Sequence, residues 1–204
     1  MTVLVRAATV EDIRAVVCVH QHAFPGFMLT LLGPPFLRRL YRGFVSEPGG
    51  VLLVAQRPDR DIVGLLAGAR MPAEFFGRMR RRHGIAIACS ALPALLRHPL
   101  RVGERLLSAV RYQGDRPMNL PGYWLLSSLG VRQADAGGGA GTALVRHFCD
   151  AAREQGAPGV YLLTDKNDNA AVERFYAKQG FTIHTTQRRR DGRQLLMLVR
   201  SFDR

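Results

Sequence analysis

A run of small residues in the C-terminal half of the chain leads directly into a stretch whose apolar residues repeat at helical spacing: Gly137, Gly138, Gly139, Ala140, Gly141 and Thr142. Residues without a Cβ atom let the backbone approach a ligand closely and point successive N–H groups at it. The start of a helix adds partial positive charge. Together these properties favour the binding of a pyrophosphate. The alternative is a turn without any ligand, because glycine is common in turns.

Two other phosphate-binding motifs do not fit this run. A Walker loop requires a lysine directly after its last glycine, and Thr142 stands there instead. The dinucleotide fingerprint requires the spacing GxGxxG, whereas Gly137, Gly139 and Gly141 give GxGxG. Only one further strand and helix precede a final hairpin, whereas a dinucleotide-binding fold continues with more βα units. The sequence therefore disfavours nucleotide hydrolysis and a Rossmann fold.

A second motif follows the glycine run. From Asn169 to Phe181 the chain reads NAAVERFYAKQGF, a variant of N-x-x-A-x-x-x-Y that ends in Gly-Phe. The two motifs in this order resemble the GNAT acetyltransferase family. The resemblance extends over the chain order from Val3 to Val199 except for an insertion, and the pair of motifs is far more specific than either motif alone.

The resemblance implies an α/β fold of the α+β kind. Its centre is a mixed, mostly antiparallel twisted sheet of about seven strands, flanked by helices and splayed between strands 4 and 5. Residues 1–204 are expected to form a single domain with a basic helical insertion at about 72–121, between strands 3 and 4. The implied activity is transfer of an acetyl group from acetyl-CoA, without a metal, to a primary amine by direct attack. Small amines, amino sugars and proteins remain open as acceptors.

By resemblance, the site residues fall into three groups. Leu129 and Val131 contact the pantetheine arm, the run from Gly137 to Thr142 holds the pyrophosphate, and Asn169 and Tyr176 lie near the thioester. The chemistry of aminolysis adds two catalytic predictions. The Leu129 amide stabilises the oxyanion, because a splayed strand leaves it free. The Tyr176 phenol protonates the departing sulfur, because its pKa of about 10 is close to about 8.5 for a thiol. Without the resemblance, a core aromatic is the better interpretation of Tyr176.

The glycine run departs from the family pattern at its first position. The family loop usually reads R/Q-x-x-G-x-G/A, and Ala136 occupies the place of the polar residue. Main-chain donors can still bind the phosphates. A nearby arginine, Arg132 or one from the insertion, is a candidate to replace the missing side chain.

The general base is left open by the sequence. Many relatives carry a glutamate on the fourth strand, but the segment Tyr123–Ser128 has no carboxylate. Asp165 at the end of the fifth strand is one candidate, a water molecule held by Ser127 or Ser128 is another, and solvent is a third. Turn or capping hydrogen bonds are the structural alternative for these three side chains.

Apolar periodicity and turn residues predict the elements that position this site. We expect strands at 3–7, 51–55, 62–69, 123–131, 160–164, 181–186 and 194–199. Helices are predicted after Asp12, after Pro35, after the glycine run and from Ala170 to Gln179. The insertion is predicted to contain paired helical segments, broken at Pro93, Pro99 and the turn 114–117. Asp191-Gly192 predicts a hairpin between the last two strands.

The charge of the chain favours an acidic partner. The formal net charge is +13 and the pI is near 11.0. Residues 74–111 hold eight arginines against two glutamates, and Arg188–Arg190 form a second cluster. Phosphates, nucleic acid and anionic lipid are all compatible with this charge, and so is a merely solvated arginine-rich surface.

The insertion has two interpretations. Its Phe75-Phe76 pair, arginines and following apolar residues suit peripheral contact with an anionic membrane. Its position beside the substrate side favours a lid over an acidic or phosphate-bearing acceptor. A catalytically weak CoA-binding module, or a basic protein that associates with membranes or nucleic acid, remains the alternative to an enzyme. Oligomeric state is open, and a homodimer is compatible with the sequence.

Cysteine and histidine usage argues against two classes of protein. Cys18, Cys89 and Cys149 lie far apart without a CxxC pair, and no signal peptide precedes them, so we expect a cytoplasmic protein without a disulfide framework. The histidines show no zinc spacing. His20 and His22 lie where the family often forms its acceptor pocket, which leaves a substrate role and simple helix packing both open.

Overall fold

The structure is a computed structural model that describes residues 3–97, 120–167, 169–188, 192 and 194–202. The predicted break at Pro99, the turn at 114–117 and Asp191 of the predicted hairpin lie outside the described residues. The full length of the predicted insertion therefore stays a prediction.

Seven strands form one sheet, as the sequence predicted. They are β1 Leu4–Ala7, β2 Gly50–Gln56, β3 Ile62–Ala69, β4 Trp124–Val131, β5 Gly159–Asp165, β6 Thr182–Arg188 and β7 Gln194–Ser201. Their order across the sheet is β1-β2-β3-β4-β5-β7-β6. Neighbouring strands are antiparallel except β4 and β5, which are parallel. The predicted mixed, mostly antiparallel sheet is confirmed.

Six described α-helices flank the sheet. They are α1 Ile13–Ala23, α2 Met28–Leu31, α3 Gly33–Ser46, α4 Pro72–Arg97, α5 Ala140–Glu154 and α6 Ala170–Lys178. The short α2 was not predicted, because four residues are too few to show a helical period. Gly180 follows α6 with φ +81°, a left-handed conformation that favours glycine at the end of a helix.

Alternating residues of the central strands contribute to two separate cores. Leu52 and Val54 of β2 face one core with α1, α3 and α4, whereas Leu53 and Ala55 face the other core with α5 and Tyr176 of α6. This period of two is what a sheet covered on both faces requires. The sheet therefore separates two helical layers, and β4 lies between them.

Helix α4 lies between β3 and β4, as predicted for the insertion, but it differs from the prediction in one respect. It runs from Pro72 to Arg97 through Pro93, so the predicted break at Pro93 is wrong. Proline removes one helical hydrogen bond. Cys89 and Pro93 are both exposed, which lets the carbonyl released at Cys89 reach solvent instead.

Candidate active site

Strands β4 and β5 separate along their length. Parallel pairing joins Trp124 to Val160, Leu125 to Tyr161 and Leu126 to Leu162. Beyond these pairs, the described residues 127–131 of β4 and 163–165 of β5 do not pair with each other. We call the space between these two segments the β4–β5 opening. The predicted splay between strands 4 and 5 is therefore confirmed.

The pairing of β4 with β3 determines which main-chain groups face the opening. The Arg132 amide donates to the Val63 carbonyl at 2.9 Å, and the antiparallel register continues from that pair. Hydrogen-bonded and non-hydrogen-bonded positions alternate along an antiparallel pair. Gly130 consequently directs its amide towards β3, whereas Leu129 and Val131 direct their amides and carbonyls into the β4–β5 opening.

A β-bulge marks the start of the opening. Ser128 pairs with Ala67 and Leu126 pairs with Gly68, so that Ser127 is the extra residue of β4. The bulge places both Ser127 and Ser128 on the sheet face that carries α3 and α4, where they line a cavity. A bulge redirects side chains in this way beside many active sites.

The glycine run forms a turn that ends at the start of α5. Gly137 and Gly139 have φ of +80° and +86°, a region that residues with a Cβ rarely adopt. Within the described residues, five amides of the run have no main-chain acceptor: Gly137, Gly139, Ala140, Gly141 and Thr142. The Gly138 amide is different, because it donates to the Asp135 carbonyl at 3.3 Å. Unpaired amides at a helix start fit an anionic group such as a pyrophosphate.

The first motif and the second motif meet at Gly141. A Cβ atom at this position would lie 3.5 Å from the Phe175 ring and 3.7 Å from the Val131 side chain. The end of β4, the start of α5 and helix α6 therefore converge at one place. Residues that are far apart in the chain thus come together beside the end of β4.

A network of ion pairs holds the segment before the glycine turn. Arg132 contacts Asp135 at 3.0 Å and Asp61 at 2.8 Å, and Arg57 contacts the same two carboxylates at 3.3 and 3.1 Å. The Arg132 hydrogen bond lowers the pKa of Asp61 below its ordinary value. The Arg132 guanidinium is therefore engaged with carboxylates, which weakens its candidacy as the replacement for the missing polar residue at Ala136.

Asn169 and Tyr176 lie at opposite ends of α6. The Asn169 side-chain amide donates to Thr164 Oγ1 and to the Asp165 carbonyl, both at 2.6 Å, so it fixes the end of β5 to the start of α6. Tyr176 is 6% exposed and its ring packs between Phe175 and Phe181. Its hydroxyl has no hydrogen-bond partner among the described residues.

The electrostatic state of Tyr176 follows from its burial. Burial, and to a smaller extent the nearby Cys149 thiol, raise the pKa of Tyr176 above its ordinary value. The phenol therefore carries its proton throughout the usual working range of pH, but its pKa is farther from that of a thiol than expected from the sequence. Burial also raises the pKa of Cys149 to about 11, so this thiol is not an activated nucleophile.

A cavity of about 320 Å³ lies on the other side of β4, between α2, α3 and α4. Its lining is mainly aromatic and aliphatic: Met28, Leu29, Phe36, Leu40, Tyr41, Phe44, Phe76, Met79, Arg80, Gly84, Ile87, Ala88, Ser127 and Ser128. The sequence did not identify this cavity, because helical periodicity shows which residues are apolar and not which of them border an empty space. Phe76 is 9% exposed and Phe75 is fully buried, so this aromatic pair faces the interior.

Tyr41 of the cavity wall is paired with His20. Tyr41 Oη lies 2.6 Å from His20 Nδ1, and both residues are buried. Burial lowers the pKa of His20 to about 4 and raises that of Tyr41, so both groups are neutral at pH 7. His20 of α1 therefore packs against Tyr41 of α3, whereas the neighbouring His22 is exposed.

The described residues contain neither a cluster of metal-ligand side chains nor a membrane-spanning helix. Among residues 3–97, 120–167, 169–188, 192 and 194–202, no three His, Cys, Asp or Glu side chains cluster as metal ligands. No helix in that part of the chain combines the length and apolar character needed to cross a membrane.

Comparison with protein families identifies the chain. The model of the acetyltransferase (GNAT) family matches residues 30–181, which include β2 to β5, the glycine run and the second motif. The chain belongs to the GNAT acetyltransferase family. The match confirms the family that the two motifs predicted. No curated protein matches the chain by sequence at a significant level.

Solved structures agree with the GNAT fold. A histone acetyltransferase HPA2-related protein from Corynebacterium glutamicum has 20% identity and a TM-score of 0.65, with 100% of this chain and 99% of that chain covered. The ribosomal-protein-S18-alanine N-acetyltransferase from Escherichia coli has 12% identity and a TM-score of 0.59, with 98% and 94% covered. A candidate streptothricin acetyltransferase from Bacillus anthracis, solved with acetyl coenzyme A, has 15% identity, a TM-score of 0.62 and full coverage of both chains. At these identities the likeness shows the fold alone.

Proposed function

We propose that this GNAT protein transfers the acetyl group of acetyl-CoA to a primary amine by direct attack. The observation that carries the proposal is the β4–β5 opening, where the main-chain groups of Leu129 and Val131 are free of β5 and lead towards the unpaired amides of the glycine turn. An extended pantetheine arm needs such a row of main-chain partners, and a pyrophosphate needs such a turn.

The residues for acetyl-CoA binding follow from this geometry. Val131 and Leu129 are proposed to bind the pantetheine arm through their main chain. The amides from Gly137 to Thr142 are proposed to hold the phosphates. The Gly138 amide is the weakest donor of the six, because it already donates a hydrogen bond to the Asp135 carbonyl. Asn169 contributes by holding the end of β5 in place, because its side-chain NH₂ group donates both hydrogen bonds to Thr164 and Asp165.

Two residues are proposed to act in the reaction. Acetyl-CoA supplies the acetyl group as a thioester, whose C–S bond breaks as the new C–N bond forms. The Leu129 amide holds the carbonyl oxygen as negative charge develops on it. The neutral Tyr176 phenol gives its proton to the sulfur that leaves.

Direct attack is favoured over an acyl-enzyme because the described site offers no activated nucleophile. Cys149 is buried and its pKa is raised to about 11. Ser127 and Ser128 have no hydrogen-bond partner among the described residues, so neither is activated by a base there. A neutral amine needs no such activation.

The proton released by the amine has several proposed acceptors. Ser127 and Ser128 line the cavity on β4 and can hold a relaying water. Asp165 is half-buried at the end of β5, where its carbonyl holds Asn169. Solvent is the third route, because an amine that is already partly neutral needs no protein base. Ser127 and Ser128 line the cavity, whereas Asp165 does not, so the serines lie closer to the cavity than Asp165.

Acetyl-CoA binding and turnover test the proposal together. We expect millimolar acetyl-CoA to raise the melting temperature, because a ligand that binds only the folded state stabilises it by mass action. We also expect thiol release from acetyl-CoA to accelerate when amines are added. Cys18 and Cys89 are exposed and require an enzyme-only blank in a thiol assay.

The possible results separate the alternatives. No thermal shift with acetyl-CoA would contradict the proposal. A shift without turnover on any amine would favour a CoA-binding module that lacks catalysis. Association with anionic vesicles or DNA in place of turnover would favour the basic binding protein. For the vesicles, the exposed apolar residues Ile85, Leu92 and Leu96 of α4 provide a surface.

A further inference from the structure

The cavity between α2, α3 and α4 is mainly apolar. Phe36, Phe44 and Phe76 give it aromatic walls, and the remaining lining residues are mostly aliphatic. Its polar groups are few. The Tyr41 hydroxyl is already bonded to His20, and Arg80 is exposed without an ion-pair partner among the described residues.

The cavity reaches the strand that carries the proposed oxyanion donor. Ser128 borders the cavity, and the next residue is Leu129, whose amide faces the β4–β5 opening. Consecutive Cα atoms are about 3.8 Å apart. A small molecule in the cavity can therefore place an amino group beside Ser128 and within reach of a carbonyl held at Leu129.

We propose that this cavity is the acceptor site and that the acceptor is a small primary amine with an apolar body of aromatic or branched aliphatic size. The inference rests on the proposed acetyltransferase function and adds its substrate class. A volume of about 320 Å³ lies at the lower end of the usual range for small-molecule sites, about 300 to 1,000 Å³.

The lining also selects the protonation state of the acceptor. Moving an ammonium group from water into an apolar cavity is unfavourable, and the neutral amine enters more easily. Arg80 lies along the cavity wall and disfavours a second positive charge on the acceptor. Polyamines and short hydroxyl-bearing amines therefore bind less well than an apolar amine of similar length.

Three amines and a pair of variants test the inference. We expect kcat/KM for 2-phenylethylamine to exceed that for ethanolamine or spermidine at least tenfold, because the phenyl group loses contact with water in the cavity. Ala88 lines the cavity and Ala86, on the same helix, lines an outer groove with Arg38, Arg39 and Arg42. A88F should raise KM for 2-phenylethylamine at least tenfold, whereas A86F should leave it within twofold.

The acetyl-CoA thermal shift separates failure of this inference from failure of the proposed function. Both variants should keep the wild-type shift, since neither position borders the β4–β5 opening. If A88F does not fold, A88L makes the same test with a smaller side chain. Preference for ethanolamine or spermidine, identical KM values in A88F and A86F, or turnover of peptide amines alone would each overturn the assignment.

Discussion

At the scale of single residues, His20 shows how tertiary packing changes an ordinary side chain. It is 2% exposed and Tyr41 is its hydrogen-bond partner at Nδ1. Burial lowers its pKa from 6.5 to about 4, because solvent no longer stabilises the imidazolium ion. The unfolded chain retains the ordinary value. Between pH 6.5 and pH 4 the unfolded chain therefore binds more protons than the folded protein.

This difference predicts a pH dependence of stability. The contribution of neutral His20 is fully present above pH 6.5 and is lost as the pH falls towards 4. Between pH 7 and pH 4.5 we expect the free energy of unfolding to fall by about 2–3 kcal/mol more in the wild type than in H20Q. Glutamine keeps a polar group near Tyr41 but does not titrate. Urea unfolding at several pH values measures the difference, and equal pH dependence in both proteins would contradict a lowered pKa.

Tyr176 is the residue at which burial and catalysis are proposed to coincide. Y176F keeps the ring contacts with Phe175 and Phe181, so we expect a nearly unchanged melting temperature and acetyl-CoA shift. Turnover should fall by about 10²- to 10⁴-fold, the usual contribution of a general acid. Because burial raises the pKa of Tyr176, ionisation of this residue should not reduce wild-type kcat between pH 6 and pH 9.

A second tyrosine provides the control for this prediction. Tyr123 is half-exposed directly before β4, and its hydroxyl is hydrogen-bonded to the Ser201 hydroxyl at 3.0 Å. Y123F removes a hydroxyl of the same kind outside the β4–β5 opening and should leave kcat unchanged. Wild-type turnover in Y176F would show that another group protonates the sulfur.

At the scale of elements, the start of α5 combines a helix terminus with a glycine turn. Thr142 is exposed at the third residue of α5. A glutamate there should stabilise the free protein slightly, by about 0.3–1 kcal/mol, because it complements the helix dipole. The same charge repels the phosphates of acetyl-CoA. T142E should therefore have an equal or higher melting temperature without ligand and at least tenfold weaker acetyl-CoA binding.

The neutral variant T142Q is the matched control, because it has the same size and shape without the charge. The difference in affinity between T142E and T142Q should shrink as salt is added, since exposed charges are screened. Calorimetric titration at two ionic strengths measures both quantities. Equal affinity in the two variants would show that the phosphates do not bind at this helix start.

The same scale shows where prediction from sequence stops. Strand and helix order followed from apolar periods and turn residues, because both depend on neighbours in the chain. The bulge at Ser127 did not, because it arises from how β4 pairs with β3. The ion pairs of Arg57 with Asp135 and of Arg132 with Asp61 were also missed, because their partners lie more than seventy residues apart.

At the scale of the whole molecule, the chain carries a formal charge of +13, and the arginines of the described residues differ in how far they are neutralised. Arg38, Arg39 and Arg42 are exposed together beside α4, whereas Arg57 and Arg132 are neutralised by carboxylates. A positive field concentrates anionic ligands near the protein, and acetyl-CoA is one of them. The charge alone therefore favours binding of acetyl-CoA, anionic membranes and nucleic acid alike.

The sequence by itself determined the family, the order of the strands and longer helices, and the glycine turn before α5. These features reside in short segments, where missing Cβ atoms and regular apolar spacing restrict the local backbone. Only the tertiary structure decided that the Leu129 and Val131 main chain is free, that Arg132 is occupied, and that an apolar cavity borders Ser128. The physical reason is that pairing, ion contacts and empty volume are properties of segments brought together from distant parts of the chain, and no local pattern records them.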